Sequence, residues 1–236
     1  MTNFLLVVIA LAAALQQTLT GFGFALVVMP LVTLLLGIRT AAPLVALAGF
    51  TVYLVNLIRH RDSVDLREVG RLALGSALGA PVGIWALTAL DEALVQGVLG
   101  ALLVAYALYE LLRPALRQAC SSRWVYLAGF LSGCLGGAYN TMGPPVVVYG
   151  ALRCWPKEEF RAILQAAFLV NATLVVGTHA LAGHFNGTVL SHYLFMAPAI
   201  LLGIVVGARL DALVNRERFR QLVGVMILLL GVSLII

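Results

Sequence analysis

Two short polar knots interrupt an otherwise apolar chain, and they hold most of its hydrogen-bonding side chains at membrane depth. The first is Gln16-Gln17-Thr18-Leu19-Thr20-Gly21-Phe22-Gly23 and the second is Gly136-Gly137-Ala138-Tyr139-Asn140-Thr141-Met142-Gly143-Pro144-Pro145. Neither knot contains a charge, so the chemistry on offer is neutral hydrogen bonding plus exposed backbone. A helix broken at such a knot leaves N–H groups without intrahelical partners at the start of its second half. Those groups carry partial positive charge and favour an anion, and glycine lets the backbone come close to it. The candidate ligands are therefore Gln17, Thr18, Thr20, Gly21, Phe22 and Gly23 in the first knot. In the second they are Gly136, Gly137, Tyr139, Asn140, Thr141 and Gly143. Pro144-Pro145 suits the first turn of a helix, where proline's missing donor costs nothing. That sets the break at Asn140–Gly143 and a returning half-helix over 144–152.

The elements that carry the knots are membrane-length. The 236 residues are 62% hydrophobic and 11% charged, with mean hydropathy +1.02, whereas a soluble domain carries roughly 25% charged residues. Apolar segments run over 4–36, 41–58, 70–89, 94–112, 124–152, 160–183, 190–209 and 219–236. They do not alternate as membrane strands do, so the expected class is an all-α polytopic membrane protein. Segments 4–36 and 124–152 are too long for one crossing at about 1.5 Å per residue. They are also short for two. Each is cut near its middle by a knot, and a helical hairpin fits better than one tilted rod.

The charges fix the topology. Basic residues cluster at 59–71, 113–123, 153–161 and 209–220, with Arg39 alone elsewhere, while the loops at Asp91-Glu92 and at Gly183–Thr188 hold no cation. Basic loops face the cytoplasm. Only with both long segments as hairpins does each of the four groups land inside, and both termini then lie outside. The net charge of +5 thus belongs to membrane orientation, and a nucleic-acid partner is not expected. Ala12-Ala13-Ala14 follows an apolar run with no preceding Lys or Arg, which reads as an uncleaved membrane segment rather than a signal peptide.

The halves match. Repeat 1 covers 1–113, a cytoplasmic linker covers 114–123, and repeat 2 covers 124–236. Each repeat is a hairpin broken at its knot followed by three transmembrane helices. Gly79-xxx-Gly83 with Gly100 corresponds to Gly203-xxx-Gly207 with Gly224. One half starts outside and the other inside, which is an inverted-topology repeat, the architecture of many alternating-access carriers. The small-residue runs suit close helix contact.

Other residues add less. Asn171 in 160–183 either faces the cavity or joins helices, and it completes the candidate ligand set. His179, His184 and His192 gather toward the outer side and read as interfacial. Cys120, Cys134 and Cys154 form no metal spacing, and no metal or cofactor is expected. Ser132 lacks the Gly-x-Ser-x-Gly elbow, so an enzyme is not expected. A central carboxylate relay, as in a proton pump, is absent from the sequence.

Together, the Gln17–Gly23 run, the Gly133–Pro145 run and Gly79-Ala80-Pro81-Val82-Gly83 make the chain resemble the TauE/SafE family of sulfite exporters, which includes permeases of the 4-toluene sulfonate uptake type. The resemblance covers nearly the whole chain. It implies a multi-pass carrier of the cell inner membrane that exports sulfite or an organosulfonate such as sulfoacetate, with protons as the coupling ion. A passive anion channel is the alternative. Oligomeric state does not follow from the sequence.

Overall fold

The computed structural model describes residues 2–89, 92–112, 121, 123–153 and 155–211, with isolated positions at 221, 225, 228, 229 and 232. Most of the linker over 114–123, most of the segment 219–236 with Gly224, and Cys120 and Cys154 lie outside the described residues, as does the side chain of Tyr139. The described residues are helical, without strands. The helices are α1 (Thr2–Thr20), α2 (Phe24–Leu36), α3 (Ile38–His60), α4 (Leu66–Ala89), α5 (Glu92–Leu112), α6 (Trp124–Tyr139), α7 (Gly143–Leu152), α8 (Lys157–Leu181) and α9 (Gly187–Leu210).

Five helices among the described residues are long and apolar enough to cross a membrane: Thr2–Thr20, Ile38–Ser63, Leu66–Ala86, Glu158–Leu181 and Gly187–Leu210. Their outward faces carry exposed Leu74, Leu78, Leu194, Phe195, Leu201 and Val205, which suits lipid rather than water. The chain is a polytopic membrane protein. The two long apolar segments are each a pair of helices. With 13 residues in α2 and 10 in α7, these arms reach about 20 Å and 15 Å, against a hydrocarbon core of about 30 Å. Neither crosses alone.

Helix ends follow local chemistry. Asp65 Oδ1 accepts from the N–H groups of Arg67 and Glu68 at the start of α4, at 2.8 and 3.2 Å. Asn186 caps α9 by accepting from Val189 N–H at 3.0 Å. Such caps satisfy donors that the helix itself leaves open.

In lipid the hydrophobic effect does not drive one helix onto another, so close packing must. The two most extensive pairings are α4 with α6 and α1 with α9. On α4, Gly75, Gly79 and Gly83 lie against the backbone of Tyr126, Phe130 and Cys134; on α6, Gly129, Gly133 and Gly137 lie against Leu72, Ser76 and Ala80. A Cβ at any of these six glycines would run into a backbone carbonyl of the facing helix. On α9, Gly203 and Gly207 sit over Leu11, Ala14, Leu15 and Thr18 of α1. Rising numbers on one helix meet rising numbers on the other in both pairs, so the helices run parallel. His192 Nδ1 lies 2.9 Å from Asn3 Oδ1 at the start of the α1–α9 pair. Between the two pairs, α3 and α8 cross antiparallel. Tyr53 and Phe168 meet there with ring centroids 5.3 Å apart, and His60 Nδ1 is 3.2 Å from Glu158.

Candidate functional site

The breaks fall inside the two knots. α1 ends at Thr20, and Gly21 (φ 90°) and Gly23 (φ 99°) carry the chain round to α2. These left-handed angles favour glycine. α6 ends at Tyr139, and Asn140 takes the left-handed position (φ 56°) as the only positive-φ non-glycine among the described residues. Asparagine is one of the few residues that visits this region readily. The turn closes with Asn140 N–H on the Gly136 carbonyl at 2.9 Å and Thr141 N–H on the Leu135 carbonyl at 3.2 Å. Pro144 and Pro145 stand in the first turn of α7.

Breaking a helix frees carbonyls as well as N–H groups, and free carbonyls repel an anion. At the first knot the carbonyls of Leu19, Gly21 and Phe22 each have a side-chain donor. Arg161 donates to the Leu19 carbonyl. Gln17 and Gln165 both donate to the Gly21 carbonyl, at 3.1 and 2.7 Å. Thr20 and Gln16 donate to the Phe22 carbonyl, at 2.7 and 3.4 Å. At the second knot Ser132 donates to the Met142 carbonyl at 2.8 Å. The N–H side is less occupied. Phe24 N–H donates to Gln17 Oε1 at 2.9 Å, while Ala25 and Leu26 lie further along the first turn, where a helix supplies no acceptor of its own. In the first turn of α7 the prolines have no N–H, which leaves Gly143 and Val146 as its donors.

The two tips approach each other. A Cβ on Gly143 would lie 3.9 Å from Phe22 Cβ and 3.8 Å from the ring of Phe168. Each tip also touches the opposite half. Asn140 Nδ2 donates to the Ala42 carbonyl on α3 at 3.0 Å, while Arg161 and Gln165 on α8 hold the first knot. Asn171, 1% exposed on α8, faces Gly136. Its Nδ2 bonds Ser76 of α4.

The candidate ligands thus divide. Gly21, Phe22, Gly23, Gly136, Asn140, Thr141, Gly143 and Asn171 gather at or beside the tips, and all but Phe22, Asn140, Thr141 and Asn171 are glycine. Gln17 braces the first knot from within. Thr20 also turns inward, onto the Gln16 and Phe22 carbonyls. Thr18 bonds the Ala14 carbonyl at 2.8 Å and packs against Gly207, so it serves the α1–α9 contact. Gly137 packs on Ala80, in the α4–α6 contact. Tyr139 is the last residue of α6.

Several polar residues outside that set belong here. Gln16 is 3% exposed, and its Oε1, like Asn171 Oδ1, is a buried acceptor with no hydrogen-bond partner. Gln165, Ser76 and Ser132 complete the network. Arg161 stands out. Its position in the sequence groups it with the loop cations, yet the structure buries it at 5% exposure on the second turn of α8. There it makes two 2.9 Å bonds to Asp211. Glu68 is also buried, held by Tyr149 OH at 2.7 Å and by Arg71 and Arg153 at 3.4 and 3.6 Å. Among the described residues no group of His, Cys, Asp and Glu is placed to hold a metal ion.

Comparison with known proteins gives this geometry a family. No solved structure matches the chain. A protein of Cupriavidus necator named "Probable sulfite/organosulfonate exporter TauE" is 28% identical over 224 residues, covering 89% of this chain and 86% of its own. "Probable inner membrane transporter protein TsaS" of Comamonas testosteroni is 27% identical over 174 residues, covering 72% of each. The family model described as "Sulfite exporter TauE/SafE" matches residues 6–234, and the chain therefore belongs to the TauE/SafE family of membrane transporters.

Proposed function

We propose that this protein is a secondary carrier that exports a small sulfur-containing anion, sulfite or an organosulfonate such as sulfoacetate, across the inner membrane. The anion rests between the knots at Thr18–Gly23 and Gly136–Gly143, on the N-terminal N–H groups of α2 and α7. One observation carries this reading: the carbonyls at the breaks are bonded by Arg161, Gln165, Gln17, Thr20 and Ser132. With those negative dipole ends neutralised, the helix N-termini dominate the local field.

The carrier mechanism rests on an inverted repeat of 1–113 and 124–236. Its support is reciprocity. α1 and α6 play one role, and α4 and α9 another; α4 packs on α6 as α9 packs on α1. The same sequence offset separates the left-handed residues Gly21 and Asn140 as separates Ala42 and Arg161, the partners that each hold the opposite tip. Two halves related in this way can exchange conformations, which opens the site to each side in turn. In this topology both termini lie outside and the basic loops are cytoplasmic.

The test is thermal unfolding of the detergent-purified protein with sulfite, sulfoacetate, sulfate or chloride at matched ionic strength. A ligand that binds only the folded state raises stability with concentration. A saturable rise with sulfite or sulfoacetate, absent with chloride, supports the site. No rise with any oxyanion refutes it.

A further inference from the structure

We infer that Arg161 is an anion-binding group at the inner entrance, and that Asp211 is a built-in competitor for it. The inference rests on the proposed function and adds a charged ligand to a site otherwise made of neutral groups.

The guanidinium lies directly beside the first knot. A Cβ on Gly21 would be 3.2 Å from Arg161 Cγ, so the bare glycine lets the arginine stem pass. One Arg161 nitrogen reaches the Leu19 carbonyl, and the terminal nitrogens clasp both Asp211 oxygens at 2.9 Å. A guanidinium fork of this kind matches any anion that presents two oxygens side by side. A carboxylate fits it, and a sulfonate or sulfite fits it equally well. The Asp211 side chain is 22% exposed while that of Arg161 is 6% exposed. Of the two, the carboxylate is the one an anion from solution can replace.

The partners also stand on different helices. Arg161 is on α8, and Asp211 caps the end of α9, which lies along α1. While the pair is closed, α8 and α9 are tied beside the first knot. An anion that takes the fork from Asp211 unties them and arrives next to the N-terminus of α2. Loading and release of the helices then become one event. In the unloaded protein Asp211 keeps the fork from being an unpaired buried charge, which is costly.

The competitor makes a quantitative prediction. An anion binds only the fraction of molecules whose fork is open, so its apparent Kd is raised by that fraction's reciprocal. Removing the carboxylate removes the competition. With the fork open in roughly one molecule in ten, Asp211→Asn tightens sulfite and sulfoacetate binding about tenfold and leaves chloride unchanged. The double variant Arg161→Gln/Asp211→Asn discards the fork without stranding a charge. It melts, without ligand, above Asp211→Asn, in which the buried Arg161 charge is stranded, but binds both anions at least about tenfold more weakly than wild type.

The experiment titrates the full-length protein in detergent with sulfite and sulfoacetate, with chloride as control. Tighter binding in Asp211→Asn together with loss in the double variant supports the inference. Wild-type affinity in either variant makes the pair a structural tie and overturns it. Asp211→Ser repeats the test should the asparagine variant not fold, and failure of both to fold likewise overturns it. Wild-type protein that binds neither anion removes the proposed function along with the inference. Wild-type protein that binds both, with Asp211→Asn indistinguishable from it, removes the inference alone.

Discussion

Replacing Asn140 separates the two things it does at the second knot. The residue adopts φ 56°, and its Nδ2 donates 3.0 Å to the Ala42 carbonyl on α3. Alanine loses both. Forcing an ordinary L residue into the left-handed region costs roughly 1–2 kcal/mol, and the lost hydrogen bond costs about 1 kcal/mol net. Asn140→Ala is therefore expected to lose roughly 2–3 kcal/mol. Glycine accepts the left-handed angle freely, so Asn140→Gly loses only about 1 kcal/mol, the bond. Thermal unfolding in detergent reads the difference, at about 2–4 °C per kcal/mol for a chain of this length. Both variants also weaken sulfite or sulfoacetate binding, because the second hydrogen on Nδ2 is lost from the tip in each. Equal destabilisation by Ala and Gly would refute the backbone argument. Wild-type anion affinity in a folded Asn140→Gly would refute the side chain's place in the site.

The glycines give a second set of expectations. Gly79→Ala drives a methyl into the Phe130 carbonyl on α6 and is expected to cost about 1–3 kcal/mol. Gly177→Ala on α8 meets nothing within 4 Å and should gain roughly 0.5–1 kcal/mol from helix propensity; parallel melting curves of the two variants check both signs. At Gly136 the added Cβ would meet the side chains of Asn171 and Met142, 2.8 and 2.9 Å away. These can shift, so Gly136→Ala should lower anion affinity in a titration more than it lowers the melting temperature. Tyr149→Phe removes a 2.7 Å bond to the buried Glu68 carboxylate. A bond to a charged group is worth about 1.5–3 kcal/mol, and a melting curve indistinguishable from wild type would show that Arg71 and Arg153 suffice there.

The helical class and the places where the long segments break were legible because they depend on local composition. Gly21, Gly23 and the Asn140–Pro145 run are residues whose backbone preferences write a turn directly into the sequence. The glycine stripes were legible for a related reason, since Gly75-xxx-Gly79-xxx-Gly83 can serve only a close neighbour, although nothing local named α6 as that neighbour. Side-chain direction was not legible. Thr18 and Gln17 are adjacent, yet one turns to α9 and the other spans the knot, because successive positions on a helix point about 100° apart. Arg161 was hidden by its company. Arg153 and Lys157 precede it, and periodicity alone assigns a cation at the foot of a helix to the interface. Its burial depends on Asp211, 50 residues later, and on the bare Cα of Gly21. Gln165 and Ser76 matter through partners equally remote in sequence.

The most direct test of the account is exchange in proteoliposomes. Vesicles containing the purified protein are loaded with unlabelled sulfite or sulfoacetate, and uptake of the labelled anion is followed with and without the internal load. Alternating access predicts saturable uptake that is accelerated by anion on the far side, and that is weakened in Asn140→Gly. Flux that rises linearly with concentration, indifferent to the internal anion, would contradict the carrier mechanism and identify a passive pore.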